Sequence, residues 1–287
     1  MSSDEYPLPD VEVVSVPPRQ LWEDIRSGDP ITILDVRSSG EYEEWHLAGD
    51  AVSITNIPYY EFIEGVTPEL LDSVPVGDPL VVVCAKGGAS NYVAGLLIEE
   101  GRDAVNLAEG MNGWAEIYEA VELDLGTDAT IIQYQRPSSG CLSYLVHDGE
   151  VGAVVDPLRA FAERYVEDAE AAGIELWYAF DTHVHADHLS GARTLADHGV
   201  EPVLPAPAAD RGVTDVEAFT TATDGQAFEV GAVTVEALHT PGHTTGMTTY
   251  RVGGEALLTG DGLFVESVAR PDLEAGADGA PEAAAAL

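Results

Sequence analysis

The pattern of apolar runs changes part-way along this 287-residue chain, and that change constrains its fold more than any other feature. Over residues 12–122, short apolar runs alternate with segments of helical character. Residues 31–36, 51–57, 80–84 and 104–107 read as strands. The run at 80–84 (LVVVC) is apolar at every position, as in a parallel strand covered on both faces. Residues 90–100 and 111–120 read as helices, with Ser90 as an N-cap and Gly101 at the end of the first. A short polar boundary, LDLGTDA at 123–129, follows. Beyond it the runs come in pairs about glycine turns, at 141–155 (turn His147-Asp148-Gly149), 228–238 (Val230-Gly231) and 247–258 (Gly253-Gly254), which is the signature of antiparallel hairpins. Residues 131–135 and 176–180 read as further strands, and 161–172 as a helix. The expectation is two α/β domains, at 12–122 and 128–287, the first built on a parallel sheet. The alanine-rich tail from residue 276 could begin another helix.

Charge narrows the possible partners. Asp and Glu number 51 against 12 Lys and Arg, for a formal net charge of −39. An apolar content of 45% and the ordered alternation of runs argue against disorder. The reading is a salt-adapted surface, because molar salt shortens the Debye length to about 3 Å and screens self-repulsion. Nucleic acid and anionic membranes require a basic face that this chain lacks. No run approaches the roughly 18–20 apolar residues of a membrane helix. The N-terminus MSSDEYPLPD has neither the basic flank nor the apolar core of a signal peptide. These features point to a soluble, cytoplasmic protein that does not act on membranes; a homodimer is left open.

Cys84 and Cys141 are the two cysteines, too few for a disulfide framework or a thiolate zinc cage. Cys141 lies in a strand run and reads as core. Cys84 ends the LVVVC run, and Ala-Lys-Gly-Gly-Ala leads from it to the Ser90 helix. A strand–loop–helix turn of this kind gathers backbone N–H groups at a helix N-terminus and favours a thiolate. Lys86, two residues on, is the only lysine in the chain. Cys84 is therefore either a small buried apolar residue or a nucleophile. In the second case Lys86 supplies a cation, and Gly87, Gly88 and Ser90 form the substrate-binding loop. The segment LDVRSSGEYEEWHLAGD (34–50), with Asp35, Arg37, Glu41, His46 and Gly49, resembles the signature of the rhodanese family. So do CAKGGAS (84–90) and EGMNGW (109–114). The resemblance implies sulfur transfer through a Cys84 persulfide, from a thiol persulfide or thiosulfate, with Arg37, Glu41 and His46 in structural roles. Ala89 stands where many rhodaneses carry arginine, so Lys86 would have to replace that cation.

Five of the eight histidines fall in two short segments, THVHADH (182–188) and HTPGH (239–243). Each segment follows a strand run, as does Asp261 in LLTGDGLF. His46, His147 and His198 read as packing or surface residues. The H-x-H-x-D-H pattern with later PGH and TGD points to converging metal ligands. It resembles the metallo-β-lactamase superfamily over about residues 130–275, which implies an αββα fold with ligand positions at His183, His185, Asp187, His188, His243 and Asp261. Asp156 matches a structural aspartate of that family. Two of its subfamilies compete. A persulfide dioxygenase would hold one Fe(II) by His183, His243 and Asp261, with His185, Asp187 and His188 in supporting positions. A hydroxyacylglutathione hydrolase would hold two metals, commonly zinc. No histidine follows His243 to complete a two-metal set, and a rhodanese partner suits persulfide oxidation. VARPDL (268–273) resembles a segment near the dioxygenase substrate site, with Arg270 as a contact for an anionic substrate. The second domain is short for this fold, so a closing strand and helices are expected to be missing at the C-terminus. The leading expectation is an iron-dependent persulfide dioxygenase coupled to a rhodanese sulfurtransferase. The alternatives are a zinc thioester hydrolase with an accessory rhodanese, and a non-catalytic sulfur carrier with a degenerate metal domain.

Overall fold

Every residue of Leu80–Val83 is buried, and the strand it forms lies at the centre of a parallel sheet. The structure, a computed structural model, describes residues 10–185, 187–211, 213, 216–265 and 267–268. By internal contacts the chain divides into two units. The first holds the residues up to Ile117 together with Arg136–Gly140, and the second holds Tyr118–Gln135 and the residues from Cys141 onward.

The first unit has strands β1 (Ser15–Val16), β2 (Ile31–Asp35), β3 (Val52–Asn56), β4 (Leu80–Val83) and β5 (Ala104–Leu107). They pair in parallel in the order β1-β5-β4-β2-β3. Its helices are α1 (Pro18–Ser27), α2 (Ser39–Glu44), α3 (Pro68–Ser73), α4 (Gly88–Glu99) and α5 (Gly110–Ala115). Alternate residues of β4 serve opposite faces. Leu80 and Val82 share a core with Val93 and Leu97 of α4, while Val81 and Val83 pack with Leu21 of α1 and Met111 and Trp114 of α5. Double coverage explains why the run is apolar throughout. The strand order reverses between β2 and β4, so the carboxyl end of β4 lies at the switch point where open α/β sheets bind ligands.

Polar side chains of the 34–50 segment hold this frame. The Arg37 guanidinium forks onto the buried Asp35 carboxylate and also donates to the Trp45 carbonyl. Glu41 completes a capping box with Ser38 at the start of α2. His46 stacks on Tyr42.

The second unit opens with β6 (Glu119–Leu123), β7 (Thr130–Gln135), β8 (Leu142–His147) and β9 (Val151–Val155). Helix α6 (Ala162–Ala172), β10 (Glu175–Phe180), α7 (Ala192–Ala196), β11 (Glu201–Pro205) and β12 (Thr220–Ala222) follow. Its strands form a seven-stranded mixed sheet, β12-β11-β10-β9-β8-β7-β6. The strands β13 (Ala227–Val230), β14 (Val233–His239), β15 (Thr248–Val252) and β16 (Ala256–Leu258) form a four-stranded antiparallel sheet. The period of two assigns side chains to layers. Ala153, Val155 and Phe180 face Phe228, Val235 and Tyr250 of the second sheet. Val154 and Ala179 face Tyr165 of α6 and Leu195 of α7. The described residues therefore stack as helix, sheet, sheet.

The three expected hairpins form at their expected turns. The helix expected over 111–120 stops at Ala115, and Glu119–Leu123 pairs antiparallel with β7 instead. Ala and Glu are good helix formers, but intrinsic propensity amounts to a few tenths of a kcal/mol per residue, and pairing along a sheet edge outweighs it. The tail from residue 276 lies outside the described residues. No helix among the described residues is long and apolar enough to cross a membrane.

A candidate nucleophile and a candidate metal centre

Cys84 leaves the end of β4 with its side chain buried. Its Sγ accepts the Gly87 N–H at 3.1 Å and lies 3.1 Å from the Ser90 hydroxyl. The same hydroxyl lies 2.6 Å from Asn106 Oδ1, and the Asn106 amide donates in turn to Ser15. Ser90 is thus not the N-cap: Gly87 caps α4 in left-handed backbone, the helix starts at Gly88, and Ser90 is fully buried against the sulfur. Lys86 is exposed on the loop. The EGMNGW motif fixes the loop from below. Met111 N–H donates to the Cys84 carbonyl at 2.8 Å and Asn112 N–H to the Ala85 carbonyl at 3.0 Å. Gly110 has φ 57°, and a Cβ there would overlap the Cys84 carbonyl oxygen. Only glycine allows that approach.

In the second unit, Asp156 ties two strand ends together. It follows β9 at φ 51°, and its N–H donates to the Phe180 carbonyl at the end of β10. Its Oδ1 accepts from Thr182 N–H at 2.7 Å and from His185 Nε2 at 3.0 Å, and its Oδ2 accepts from the Thr182 hydroxyl at 2.9 Å. Burial acts to raise the Asp156 pKa, but His185 and Thr182 overcome it and hold the carboxyl below its usual range. An ionised Asp156 can only accept, so Thr182 must donate to it. The Thr182 oxygen, 2.9 Å from His183 Nδ1, then accepts from that nitrogen. This fixes the His183 tautomer and leaves the Nε2 lone pair facing Asp261, 3.8 Å away.

His243 Nε2 lies 3.4 Å from the same Asp261 oxygen, and the two imidazoles stand perpendicular with centroids 4.9 Å apart. Burial, then His185, push the His183 pKa down to about 3, so the ring is a neutral donor. Burial raises that of Asp261. Gly260 positions this carboxylate: at φ 48° it lies where a Cβ would overlap the Thr182 hydroxyl. Ligand atoms of His183, His243 and Asp261 all lie within 4.8 Å of one another. His243 Nδ1 is buried without a hydrogen-bond partner among the described residues. Two imidazoles and one carboxylate are the donor set of non-haem Fe(II) sites and also suit zinc. The residues present fit such an ion.

The other expected ligands fall into separate groups. His185 is drawn to Asp156 and Asp181, and Asp187 and His188 lie together beside Cys141. Carboxylates raise the pKa of both His185 and His188 against the effect of burial. His239 is exposed, pairs with the Thr245 carbonyl and is in none of these groups. Arg270 lies outside the described residues. Sequence reasoning missed Asp181, whose carboxyl burial pushes up to about 6 and which accepts from Ser190. An acidic residue ending a buried strand run was the available signal. A cleft of about 420 Å³ opens beside His183, His185 and His188, and Arg159, Arg193 and Phe219 also line it.

Residues 17–117 match the family of rhodanese-like domains and residues 137–286 the metallo-beta-lactamase superfamily. The mitochondrial persulfide dioxygenase ETHE1 of Homo sapiens is 29% identical over 158 residues, covering 53% of this chain and 60% of that protein. A hydroxyacylglutathione hydrolase of Acidiphilium cryptum is 36% identical over 122 residues, covering 42% of this chain and 49% of that protein. The chain thus spans about half to 60% of the length of these relatives. Among solved structures, ETHE1 from Myxococcus xanthus aligns at 24% identity with a TM-score of 0.41, over 55% of this chain and 63% of that one.

Proposed function

The chain belongs to the metallo-beta-lactamase superfamily and carries a rhodanese-like domain, and from that premise we propose that it is a persulfide dioxygenase coupled to a sulfurtransferase. The observation that carries this reading is the group of His183, His243 and Asp261, two imidazoles and a carboxylate around one point. The proposed reaction takes a thiol persulfide, dioxygen and water to the thiol and sulfite. The outer sulfur is oxidised, dioxygen is reduced, and the sulfur–sulfur bond breaks. Fe(II) held by the three side chains would supply the electron transfer that lets dioxygen react with a closed-shell persulfide. Thr182 and Asp156 hold the His183 ring with its lone pair outward. Arg159 and Arg193 line the cleft beside the histidines, together with Asp181 and Asp197, and either guanidinium would pair with an anionic thiol persulfide. In the first unit, the Cys84 thiolate would attack the outer sulfur of a thiol persulfide or thiosulfate. It would release thiolate or sulfite and carry the sulfur as a persulfide to a thiol acceptor.

A second reading is a zinc thioester hydrolase, in which two metals activate water. The observation favouring it is the donor group of Cys141, Asp187 and His188 beside the first. The relatives include both enzymes, so they support either reading. Anaerobic loading with Fe(II) in high salt, followed by oxygen uptake and sulfite release with a thiol persulfide, tests the proposal. The expected result is uptake that Asp261→Ala abolishes. Thioester hydrolysis by the zinc form without uptake by the iron form would assign the second reading. Neither activity, with Cys84-dependent sulfur transfer intact, would make the protein a sulfur carrier.

A further inference from the structure

A short polar chain runs inward from Cys84 through an otherwise apolar core. Cys84, Ser90 and Asn106 are all buried, and the cysteine packs in one cluster with Val82, Val93 and Leu97. Cys84 Sγ lies 3.1 Å from the Ser90 oxygen, and that oxygen lies 2.6 Å from Asn106 Oδ1. The Asn106 amide donates to Ser15 Oγ at 3.0 Å, which turns its carbonyl oxygen toward Ser90. A serine hydroxyl carries a single proton. It can donate to the sulfur or to the amide oxygen at any moment, and not to both. Among the described residues, no other donor reaches Asn106 Oδ1.

The charge on the sulfur decides between them. A thiol sulfur is a weak acceptor and an amide oxygen a good one. While Cys84 holds its proton, the hydroxyl donates to Asn106 and its lone pair faces the thiol. A thiolate reverses this order, because a hydrogen bond to an ionised acceptor is about twice as strong as a neutral one. The hydroxyl then turns to the sulfur, and Asn106 Oδ1 loses its donor. Other charged and titratable groups stand on the elements around the loop. Asp35 and Arg37, after β2, neutralise one another in a buried pair. Lys86 on the loop, Glu109 before α5 and Glu61 in the turn after β3 are exposed. Tyr59 and Tyr92 pack against the apolar cluster, to which α3 adds only Leu70 and Leu71. None of these side chains is hydrogen-bonded to the sulfur.

We propose that Asn106 is a positioning residue for Cys84: it draws the Ser90 hydroxyl proton away whenever the sulfur is uncharged, so the hydroxyl switches partner as the sulfur gains or loses charge. The consequence for sulfur transfer rests on the reading given above. There the Cys84 thiolate attacks the outer sulfur of the donor. A bond from Sγ to that sulfur forms, the donor's own bond to it breaks, and the donor leaves as an anion. Sγ becomes the inner, uncharged sulfur of a persulfide whose charge sits on the outer atom, and the hydroxyl returns to Asn106. Attack by an acceptor thiolate on the outer sulfur reverses both changes. Asn106 therefore favours the loaded state over the empty thiolate. It also leaves that thiolate more basic, and hence more nucleophilic, than the hydroxyl alone would make it.

The test follows the rate of alkylation of Cys84 by iodoacetamide against pH, in the full chain at high salt, read by mass on the peptide that holds Cys84. Asn106→Leu keeps the bulk and removes the acceptor, and Asn106→Ala takes its place if the leucine chain fails to fold. Each is made with and without Ser90→Ala, so that changes of packing and solvent entry common to both backgrounds cancel. With Ser90 present, replacing Asn106 is expected to lower the pH midpoint by about one unit more than it does in the Ser90→Ala chain. A midpoint that stays, that rises, or that moves equally in the two backgrounds overturns the proposal. Alkylation needs neither sulfur donor nor acceptor. A shifted midpoint in a chain inert in sulfur transfer would thus support the switch and remove only the sulfurtransferase reading.

Discussion

The Ser90 hydroxyl has one proton and two buried neighbours able to accept it, Cys84 Sγ at 3.1 Å and Asn106 Oδ1 at 2.6 Å. Removing it leaves the Asn106 oxygen buried without that donor, which costs about 1–3 kcal/mol. It also takes a polar partner from the sulfur. Ser90→Ala is expected to lower stability by about that amount, read from denaturant unfolding in high salt, and to slow sulfur transfer from Cys84. Unchanged values of both would show that the hydroxyl bonds neither group. The sequence makes Ser90 look like a helix cap because serine before a helical run is the common case. Its actual role depends on Asn106, which β5 brings alongside and local pattern does not announce. Cys84 and Lys86 are legible because the run of apolar residues, the double glycine and the single lysine are all local. His183, His243 and Asp261 are legible for the same reason, since each follows its own strand run. Cys141 is not: a cysteine beside a strand reads as core until the turn carrying Asp187 is seen against it.

Elements meet through turns as well as through faces. Asp148 lies in the turn between β8 and β9, where its carboxylate accepts from Glu150 N–H at 2.9 Å and Val151 N–H at 2.8 Å. It also accepts from Ala232 N–H at 2.7 Å, in the turn between β13 and β14, so one side chain fastens the large sheet to the small one. These backbone donors, that of Val151 first, hold the Asp148 pKa down to about 2. An unfolded aspartate titrates near 3.9. The folded value is the lower one, so the carboxylate contributes stability that is complete above about pH 4 and fades as pH falls through about 2. Asp148→Asn is therefore expected to lower the Tm at neutral pH, and the gap to the parent should narrow steadily from pH 4 to pH 2. A gap that stays constant over that window would deny Asp148 this role. The His147-Asp148-Gly149 turn is legible in the sequence because Asp-Gly between apolar runs is a hairpin signal. Its second duty is not, since Ala232 is distant in the chain. The same limit governs residues 119–123, whose local preference is helical and whose partner β7 makes them a strand.

At the scale of the whole chain, electrostatics set the conditions under which any of these sites exists. A formal net charge of −39 on 287 residues opposes compaction, because folding concentrates like charges that the unfolded chain spreads out. The Debye length falls from about 8 Å at physiological ionic strength to about 3 Å at 1 M, so repulsion between neighbouring surface carboxylates weakens steeply with salt. The Tm is expected to climb with potassium chloride up to the molar range. Salt exclusion could strengthen apolar burial as well, and sucrose separates the two, since it acts on burial without screening. Screening predicts a larger rise in potassium chloride than in sucrose. It also predicts that the salt dependence shrinks near pH 4, where many of the 51 acidic side chains take up protons and the charge to be screened falls. An equal response to the two solutes, or a salt slope that does not change with pH, would mean that the acidic surface does not govern stability. Metal loading and sulfur-transfer assays on this protein therefore belong in high salt, where both units are expected to hold their folds.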